Sequence, residues 1–93
     1  MRSIVATGTG DSPILSVPGS SKDEAVLIVS ADSWGEADLM VSIDKVTWVN
    51  VTVGVDFEKV TITKDMPIVV RCGLHYMLDV VTYTDDITLV LDE

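Results

Sequence analysis

Cysteine and histidine come close together only once in the chain, in the run Cys72-Gly-Leu-His75. A zinc site needs four ligands, and a cysteine nucleophile with a histidine base needs a third group to orient the base. The chain has 1 cysteine and 1 histidine in all, so neither set can be completed. The pattern favours a structural interpretation, with Cys72 at a strand end in the core and His75 in a surface turn. We expect no catalytic residue, no metal site and no cofactor.

Acidic residues are the next groups that could do chemistry. Asp85-Asp86, Asp23-Glu24 and Asp44 could ligate calcium at loop tips, but they lack the dense Asp-x-Asp-x-Asp-Gly spacing of an EF-hand. Any two of the 15 acidic residues could form a glycosidase pair, yet nothing singles out a pair, and so small a scaffold offers little cleft. The sequence therefore predicts solvated turn carboxylates and no enzyme.

Two tryptophans, Trp34 and Trp48, are the largest aromatic groups. If their rings were exposed on one face they could stack on a sugar, and if buried they would fill the core. Trp48 is out of phase with Val49 and Val51, so one of these sets must face outward unless the strand is bulged. The pattern favours core or subunit contacts and leaves a sugar platform as the alternative.

Length and charge restrict the classes of function. A chain of 93 residues allows one domain with a modest core. The formal net charge of -9 repels a phosphate backbone, so we expect no nucleic-acid partner. We expect no membrane partner either, because no apolar run approaches the roughly 20 residues of a membrane helix. The N-terminus has no secretory signal pattern, and a single cysteine fits intracellular assembly.

Hydropathy patterning predicts an all-β fold. Residues 37–51 are typical of a β-hairpin, because apolar residues alternate with polar ones and a second strand-forming run follows a polar break. About eight short strands recur at intervals of roughly 8 to 12 residues, which predicts a small antiparallel β-sandwich, jelly-roll or Ig-like. Residues 25–32 are typical of a central strand covered on both faces. Val53-Gly54-Val55 predicts a bulge or bend.

Residues 1–24 contain much of the glycine, proline and serine. This composition predicts an extended N-terminal arm that contributes one or two edge strands, followed by the sandwich domain over residues 25–93. A disordered terminus with one edge strand is the alternative.

Apolar residues fall on both phases of the predicted strands. The set expected to face inward comprises Leu39, Val41, Ile43, Val60, Ile62, Leu89 and Leu91. The opposite phase carries Met40, Val49, Val69, Met77, Val81 and Val90. A sandwich with one solvated face would have polar residues there, so the pattern favours a subunit interface, with local register breaks or an extra covering layer as alternatives. The mean hydropathy of +0.40 also suggests that partners cover part of the surface.

Four segments in order carry a resemblance to a known family. They are Ala31-Asp-Ser-Trp-Gly35, Leu39-Met-Val-Ser-Ile-Asp44, Thr47-Trp48-Val-Asn-Val51 and Arg71-Cys-Gly-Leu-His-Tyr76. The chain resembles, over about residues 25–91, the small β-sandwich virion proteins of tailed bacteriophages. Many of these have a Val-Ser-x-Asp-Gly-x-x-Trp hairpin and a late Gly-x-Tyr strand start. Lys45 stands where that hairpin usually has glycine, which predicts a different turn geometry.

Within phage virions, the chain looks most like a capsid decoration (cement) protein. The resemblance implies a homotrimer seated on the major capsid protein, at the outer surface of a capsid assembled in the host cytoplasm. We expect the arm to contact the capsid through Ile4, Val5, Ile14 and Leu15. From phase and composition, we expect trimer contacts at Met40, Val69, Met77 and Val81. The alternatives are a glycan-binding or tail/fibre adhesin module, using Trp34, Trp48, Tyr76 or Tyr83, and another tail or neck component.

Overall fold

The computed structural model of the chain describes residues 2–53 and 55–92. Over those residues the protein is all-β and contains no helix, as predicted. Its strands are β1 (Arg2–Ala6), β2 (Gly10–Asp11), β3 (Leu15–Ser16), β4 (Glu24–Ala31), β5 (Glu36–Ser42), β6 (Val49–Asn50), β7 (Thr52–Val53), β8 (Glu58–Lys59), β9 (Thr61–Ile62), β10 (Met66–Arg71), β11 (His75–Thr82) and β12 (Ile87–Asp92). The predicted bulge at Val53-Gly54-Val55 depends on Gly54, which lies outside the described residues.

Most strands belong to two antiparallel sheets. Sheet A has the order β1-β12-β4-β10. Sheet B has the order β2-β11-β5-β6, with β3 also pairing with β11 and β9 with β5. Strands β7 and β8 form a separate two-stranded hairpin. The strands outnumber the predicted eight because the N-terminal segment contributes three where one or two were predicted, and residues 52–59 add this hairpin.

The core lies between the two sheets because each contributes one apolar face. In β12, Ile87, Leu89 and Leu91 are buried while the residues between them are only partly buried, which is the two-residue period of a strand. The largest fully buried side chains come from both sheets: Leu27, Val29, Leu39, Ile62, Leu78, Val80, Ile87 and Leu89. Each such burial favours folding by about 1.5–3 kcal/mol, so this cluster is the main source of stability.

The central hairpin is confirmed. Strand β6 pairs with β5, with Met40 opposite Asn50 and Val41 opposite Val49. The predicted inward set is confirmed for Leu39, Val60, Ile62, Leu89 and Leu91, all of which are buried. Val41 is only partly buried against the core. The prediction for Ile43 is wrong: it is 83% exposed, because β5 ends at Ser42 and Ile43 lies in the loop.

The N-terminal segment contributes more to the sandwich than one or two edge strands. Strand β1 pairs with β12 at the edge of sheet A, and β2 and β3 pair with β11 at the edge of sheet B. Ala6, Leu15 and Val17 are in the core. The segment therefore runs along one side of the sandwich from sheet A to sheet B. The division of the chain at residue 24 stays a prediction.

Gly35 shapes the passage from β4 in sheet A to β5 in sheet B. A Cβ atom at this position would lie 2.0 Å from the backbone oxygen of Thr82 and 2.8 Å from its carbonyl carbon. Backbone atoms cannot yield as a flexible side chain can, so the two chain segments can approach this closely only with glycine here. This contact fixes the corner that joins the two sheets.

Candidate docking surface

The outer face of sheet A is apolar across all four strands. In one row of the sheet, Val90 lies opposite Ser3 of β1 and opposite Ile28 of β4, which in turn lies opposite Pro67 of β10. In the next row, Val26 lies opposite Val69. Val69 and Ile28 are well exposed, at 62% and 41%, whereas Val26 and Val90 are partly buried. The prediction that β4 is central is confirmed, but its outer face is not covered by the chain itself.

Charge is confined to the ends of this face. At one end, Glu24 lies opposite Arg71, and Asp92 lies opposite Val26. Between the ends, the outward positions hold only valine, isoleucine, proline, serine and threonine. An exposed apolar surface bordered by polar residues is typical of a protein contact site. We call the set Ser3, Val5, Val26, Ile28, Pro67, Val69 and Val90 the sheet A face.

An acidic cleft lies at the opposite end of the sheet A face. It has a volume of about 240 Å³ and is smaller than the cleft beside Cys72, which has a volume of about 380 Å³. It is lined by Ser30, Ala31, Asp32, Asp65, Asp86 and Thr88. Antiparallel order explains the arrangement, because Asp32 follows β4 whereas Asp65 and Asp86 precede its two neighbours, β10 and β12. We call this the acidic cleft.

Asp65 is held in place by two hydrogen bonds. Its Oδ1 accepts one from the indole Nε1 of Trp34 at 2.6 Å and one from the backbone N–H of Ala31 at 3.1 Å. Both bonds favour the ionised carboxylate, so the Trp34 donor, followed by Ala31, lowers the pKa of Asp65 below its ordinary value. Neither of these two donors carries a charge.

Asp86 has a similar neutral partner. The hydroxyl of Tyr83 donates to Asp86 Oδ1 at 2.5 Å. That bond favours the protonated phenol, so it raises the pKa of Tyr83 above its ordinary value, and the nearby negative charge acts in the same direction. Trp34 and Tyr83 thus both point their polar ends at carboxylates of the acidic cleft.

The edge of sheet A formed by β10 is blunted. The Tyr76 hydroxyl donates to the backbone oxygen of Arg71 at 3.1 Å and accepts from its N–H at 3.0 Å. The backbone N–H and oxygen of Arg71 therefore point away from β4. Because the direction of these groups alternates along a strand, the backbone groups of Val69 and Pro67 also point away from β4. Proline has no N–H, so of these three residues only Val69 offers a donor and an acceptor to another strand. Burial is the main cause that raises the pKa of Tyr76.

The predicted arm residues lie in different environments. Leu15 is 3% exposed and in the core, and Ile4 is partly buried against it. Val5 and Ile14 are each 40% exposed. The assignment of these residues to a capsid contact stays a prediction, and only Val5 and Ile14 present much of their side chains to a partner.

The predicted trimer residues lie on opposite faces of the sandwich. Val69 is on the sheet A face, whereas Met40, Met77 and Val81 are on the outer face of sheet B, out of phase with buried Leu39 and Leu78. Met77 is only 6% exposed although it is not on the core side. The structure therefore does not bring the four residues together, and their assignment to one interface stays a prediction.

The outer face of sheet B satisfies its polar groups within the chain. Asp38, with an 8% exposed side chain, accepts from Lys59 Nζ at 3.1 Å and from the Thr61 hydroxyl at 3.3 Å.

His75 is the first residue of β11, so its predicted place in a surface turn is wrong; its Nδ1 lies 2.7 Å from Ser16 Oγ. Cys72 is partly buried just after β10, close to its predicted position at a strand end in the core.

The hairpin loop after β5 is organised by Ser42 and Asp44. Asp44 Oδ1 accepts from the N–H groups of Val46 and Thr47, each at 2.9 Å. These bonds, with Thr47 the largest cause, lower the pKa of Asp44. Lys45 has φ +67°, which is the left-handed conformation that glycine favours; the predicted difference in turn geometry from the phage family stays a prediction. The Trp48 indole donates to the Lys45 oxygen at 3.2 Å and closes the loop.

Among the described residues, no cluster of three or more histidine, cysteine, aspartate or glutamate side chains is arranged to hold a metal ion. No helix able to cross a membrane occurs in the same part of the chain. Comparison of the chain with protein families, with curated proteins and with solved structures finds no match.

Sequence reasoning missed the sheet A face as a unit and the acidic cleft. It found Val69 and Val90 on the second phase, but it could not tell that they share a face with Ile28. The aspartates of the cleft, Asp32, Asp65 and Asp86, are more than 20 residues apart in sequence. Each of the three aspartates flanks a predicted strand, but only the strand order shows that they lie at the same end of the sheet.

Proposed function

We propose that this protein is a structural, non-catalytic component of a phage virion that attaches to the outer surface of the capsid through the sheet A face and stabilises the shell. The observation that carries the proposal is an exposed, uncharged four-stranded face on a chain of net charge -9. Removing apolar surface from water favours binding by roughly 25 cal/mol per Å². The resemblance to decoration proteins supplies the identity of the partner, the major capsid protein.

Self-association through the sheet A face is less favourable than capsid binding. Four strands about 4.8 Å apart and six residues long give a plan area of about 400 Å². A specific interface usually buries about 800 Å² on each partner. A second copy would also bring another net charge of -9. A larger partner that also contacts the rim of the face satisfies the area requirement and avoids this repulsion.

The homotrimer implied by the resemblance is part of the proposal. Contacts on opposite faces of a sandwich would stack copies in a row, whereas a trimer needs patches that meet after a rotation of 120°. We therefore assign Val69 to the capsid contact and leave Met40 and Val81, on sheet B, as the accessible trimer candidates. A trimer would bind a capsid multivalently, because contacts after the first are effectively intramolecular.

The test is cosedimentation of the purified protein with expanded, decoration-free heads of the phage that encodes it. Wild-type protein should pellet with the heads and delay their thermal disruption. The Val69→Asp variant should lose binding at least tenfold, because it places an unpaired charge within the face, at its most exposed apolar position. Val49→Asp is the matched control, since Val49 is 56% exposed and lies in sheet B.

The result has clear opposing outcomes. If wild-type protein stays in the supernatant, the proposal is wrong. If Val49→Asp loses binding as completely as Val69→Asp while both variants keep the wild-type thermal transition, the sheet A face is not the docking surface.

A glycan-binding module is the second candidate, and one observation favours it. Trp34 and Tyr83 both border the acidic cleft, where carboxylates could accept hydrogen bonds from sugar hydroxyls. Tyr76 is only 3% exposed, and Trp34 and Trp48 are both partly buried, so among the aromatic residues predicted for a sugar platform only Tyr83 is exposed, at 37%. Quenching of tryptophan fluorescence by acrylamide separates the candidates: protection of one tryptophan by added glycans favours the module, and no protection favours the structural role.

A further inference from the structure

The most exposed large apolar side chains of the described residues are concentrated in one segment, residues 43–57. Ile43, Val46, Val55 and Phe57 are 83%, 81%, 90% and 77% exposed. They belong to the loop between β5 and β6 and to the turn between β7 and β8. Exposed apolar side chains grouped in this way are typical of a contact site, and these lie outside the sheet A face.

Phe57 lies in the turn of a hairpin that belongs to neither sheet. It has φ +53°, a left-handed conformation that is unfavourable for a residue with a Cβ atom. Exposure of its phenyl ring to water is also unfavourable. Both features destabilise the isolated chain, and a partner that covers the ring removes the second. We call Val55 and Phe57 the hairpin tip.

The base of this hairpin is fixed to sheet B. The N–H of Val60 donates to the oxygen of Val51 at 2.8 Å, and the N–H of Val51 donates to the oxygen of Leu39 in β5 at 2.9 Å. Lys59 adds its ion pair with Asp38. The position of the hairpin tip is therefore constrained before any partner binds, which lowers the entropy that association costs.

An apolar cleft lies beside β6, the strand that precedes this hairpin. It has a volume of about 370 Å³ and is lined by Val41, Ser42, Ile43, Asp44, Thr47, Val49 and Leu74. A cavity of about 150 Å³ already accommodates a benzene molecule, so this cleft has room for a phenyl ring and a valine side chain. Among these lining residues Asp44 alone is charged, and its carboxylate accepts hydrogen bonds from backbone N–H groups of its own loop. We call this the sheet B cleft.

The charges beside the hairpin tip and beside the sheet B cleft have opposite signs. Asp56 and Glu58 flank Phe57 and are exposed, whereas the next residue, Lys59, is already paired. Lys45 is exposed in the loop that borders the cleft. A tip that enters the cleft of another copy brings its two carboxylates towards that copy's lysine. This attraction is local, because charges farther apart than about 8 Å are largely screened at physiological salt, so it acts although each copy has a net charge of -9.

From the size of the cleft and these opposite charges, we infer that the hairpin tip of one copy of the chain inserts into the sheet B cleft of a second copy. Phe57 then packs on Leu74, and the two acidic residues beside it face Lys45. Tip and cleft are different patches, so the contact is head-to-tail, and only a closed ring uses every tip and every cleft. The inference rests on the proposed function only for the number of copies in that ring, three.

Ring closure compensates for the small area of a single contact. A phenyl ring buries roughly 150–250 Å², which is well below the roughly 800 Å² on each partner of a stable interface. In a ring each copy makes two such contacts, and the contact that closes the ring is effectively intramolecular. Association should therefore be cooperative, with little open dimer at any protein concentration.

The first experiment measures molar mass by light scattering over a range of protein concentrations and needs no capsid. Wild-type protein should associate, and Phe57→Ser should raise the apparent dissociation constant at least tenfold. Ile43→Ser alters the cleft side of the same contact and should weaken association at least threefold. The matched control is Val69→Ser, which removes an exposed valine from the sheet A face and should leave association unchanged.

Two results would overturn the inference at this stage. They are a wild-type chain that stays monomeric at every concentration, and a Phe57→Ser variant that associates like wild type. A stable mass of two chains that depends on Phe57 would keep the tip-to-cleft contact, as a reciprocal exchange between two copies, and would make the trimer wrong.

The second experiment identifies what the hairpin tip contacts. Cys72→Ala removes the 1 cysteine of the chain, and Val55→Cys or Thr47→Cys then adds one cysteine to the tip or to the cleft. A mixture of these two variants should form a disulfide-linked pair on oxidation, whereas either variant alone should not. Val55→Cys mixed with Val69→Cys, also in the Cys72→Ala chain, is the control and should stay unlinked. Linked pairs from Val55→Cys alone would show that tips contact each other, contrary to the inference.

Cosedimentation with heads separates this inference from the proposed function. Phe57→Ser retains the sheet A face, so it should bind heads more weakly than wild type, through loss of multivalency, but better than Val69→Asp. Val49 lines the sheet B cleft, so Val49→Asp should behave like Phe57→Ser. If wild-type protein forms the ring but ignores the heads, the proposed function is wrong and the tip-to-cleft contact stands. If it binds heads but stays monomeric, the contact is wrong and the capsid role stands.

Discussion

Sheet B pairs the polar groups on its outer face within the chain, whereas sheet A leaves valine and isoleucine side chains uncovered on its own. On sheet B, Asp38 is bonded to Lys59 and Thr61, and Met77 is 6% exposed. On sheet A, Val69 is 62% exposed and no side chain of the described residues covers it. Both faces belong to the same sandwich, so the fold alone does not require the difference. The difference supports the proposal that a partner covers the sheet A face.

The largest effect is expected at Gly35, in the corner that joins the two sheets. Gly35→Ala forces a Cβ atom against the backbone of Thr82, and we expect the free energy of unfolding to fall by about 3 kcal/mol or more. Urea denaturation measures it. Gly8→Ala is the matched control, because a Cβ atom at Gly8 meets nothing within 4 Å. Equal stability of the two variants would mean that the close approach at Gly35 does not hold the corner.

The second prediction compares the two faces directly. Met77→Ala on sheet B should lower the free energy of unfolding by about 2 kcal/mol, as for a buried methionine. Val69→Ala on sheet A should change it by less than about 0.5 kcal/mol, as for a surface position. Thermal denaturation of both variants measures the difference. Similar losses would show that the sheet A face contributes to folding and is not held free for a partner.

The third prediction concerns the hydrogen bonds by which Tyr76 of sheet B contacts Arg71 of sheet A. Tyr76→Phe removes the hydroxyl that pairs with both backbone groups of Arg71, so we expect a loss of about 1–2 kcal/mol. Amide hydrogen exchange at Arg71 should become faster in the variant while exchange in sheet B stays slow. Unchanged protection at Arg71 would contradict the assignment of this hydroxyl as an edge cap.

The fourth prediction uses the acid-rich end of the sheet A face. The hydrogen bond to Asp86 raises the pKa of Tyr83 above its ordinary value of 10.0, so the folded chain holds this proton more tightly than the unfolded chain. The bond therefore stabilises the fold at pH below 10, and that contribution is lost as the pH rises through the folded-state pKa. Absorbance at 295 nm reports tyrosinate formation. Asp86→Asn should lower the pKa of Tyr83, and Asp11→Asn should leave it unchanged.

The smallest expected effect lies in the hairpin loop of sheet B. Lys45 adopts a left-handed conformation, which costs a non-glycine residue about 1 kcal/mol, while glycine loses more conformational entropy on folding. The net effect of Lys45→Gly should be a gain of about 0.5 kcal/mol. A urea titration that shows a loss beyond experimental error would mean that the lysine side chain stabilises the loop more than its backbone strain destabilises it.

Sequence patterning predicts the strand content and much of the core because those features depend on local alternation. Residues 25–32 are predicted as a strand and lie largely within β4, and the hairpin predicted over residues 37–51 contains β6 and most of β5. Ile43 shows the limit: its phase continues that of Leu39, but the loop bonds of Ser42 and Asp44 end the strand first. The docking surface depends on which strands are neighbours, and pairings such as that of Ile28 with Val90 join residues that no local pattern connects.

The blunted edge of β10 has a consequence for behaviour at high concentration. Fibril growth by edge-to-edge pairing needs a row of free backbone donors and acceptors, and Pro67 together with the Tyr76 cap of Arg71 interrupts that row on both sides of Val69. Crowded copies therefore cannot join their sheets in register along this edge. Sheet extension through β10 is therefore blocked beside the exposed apolar face, which leaves side-chain contacts as the way in which that face can bind another molecule.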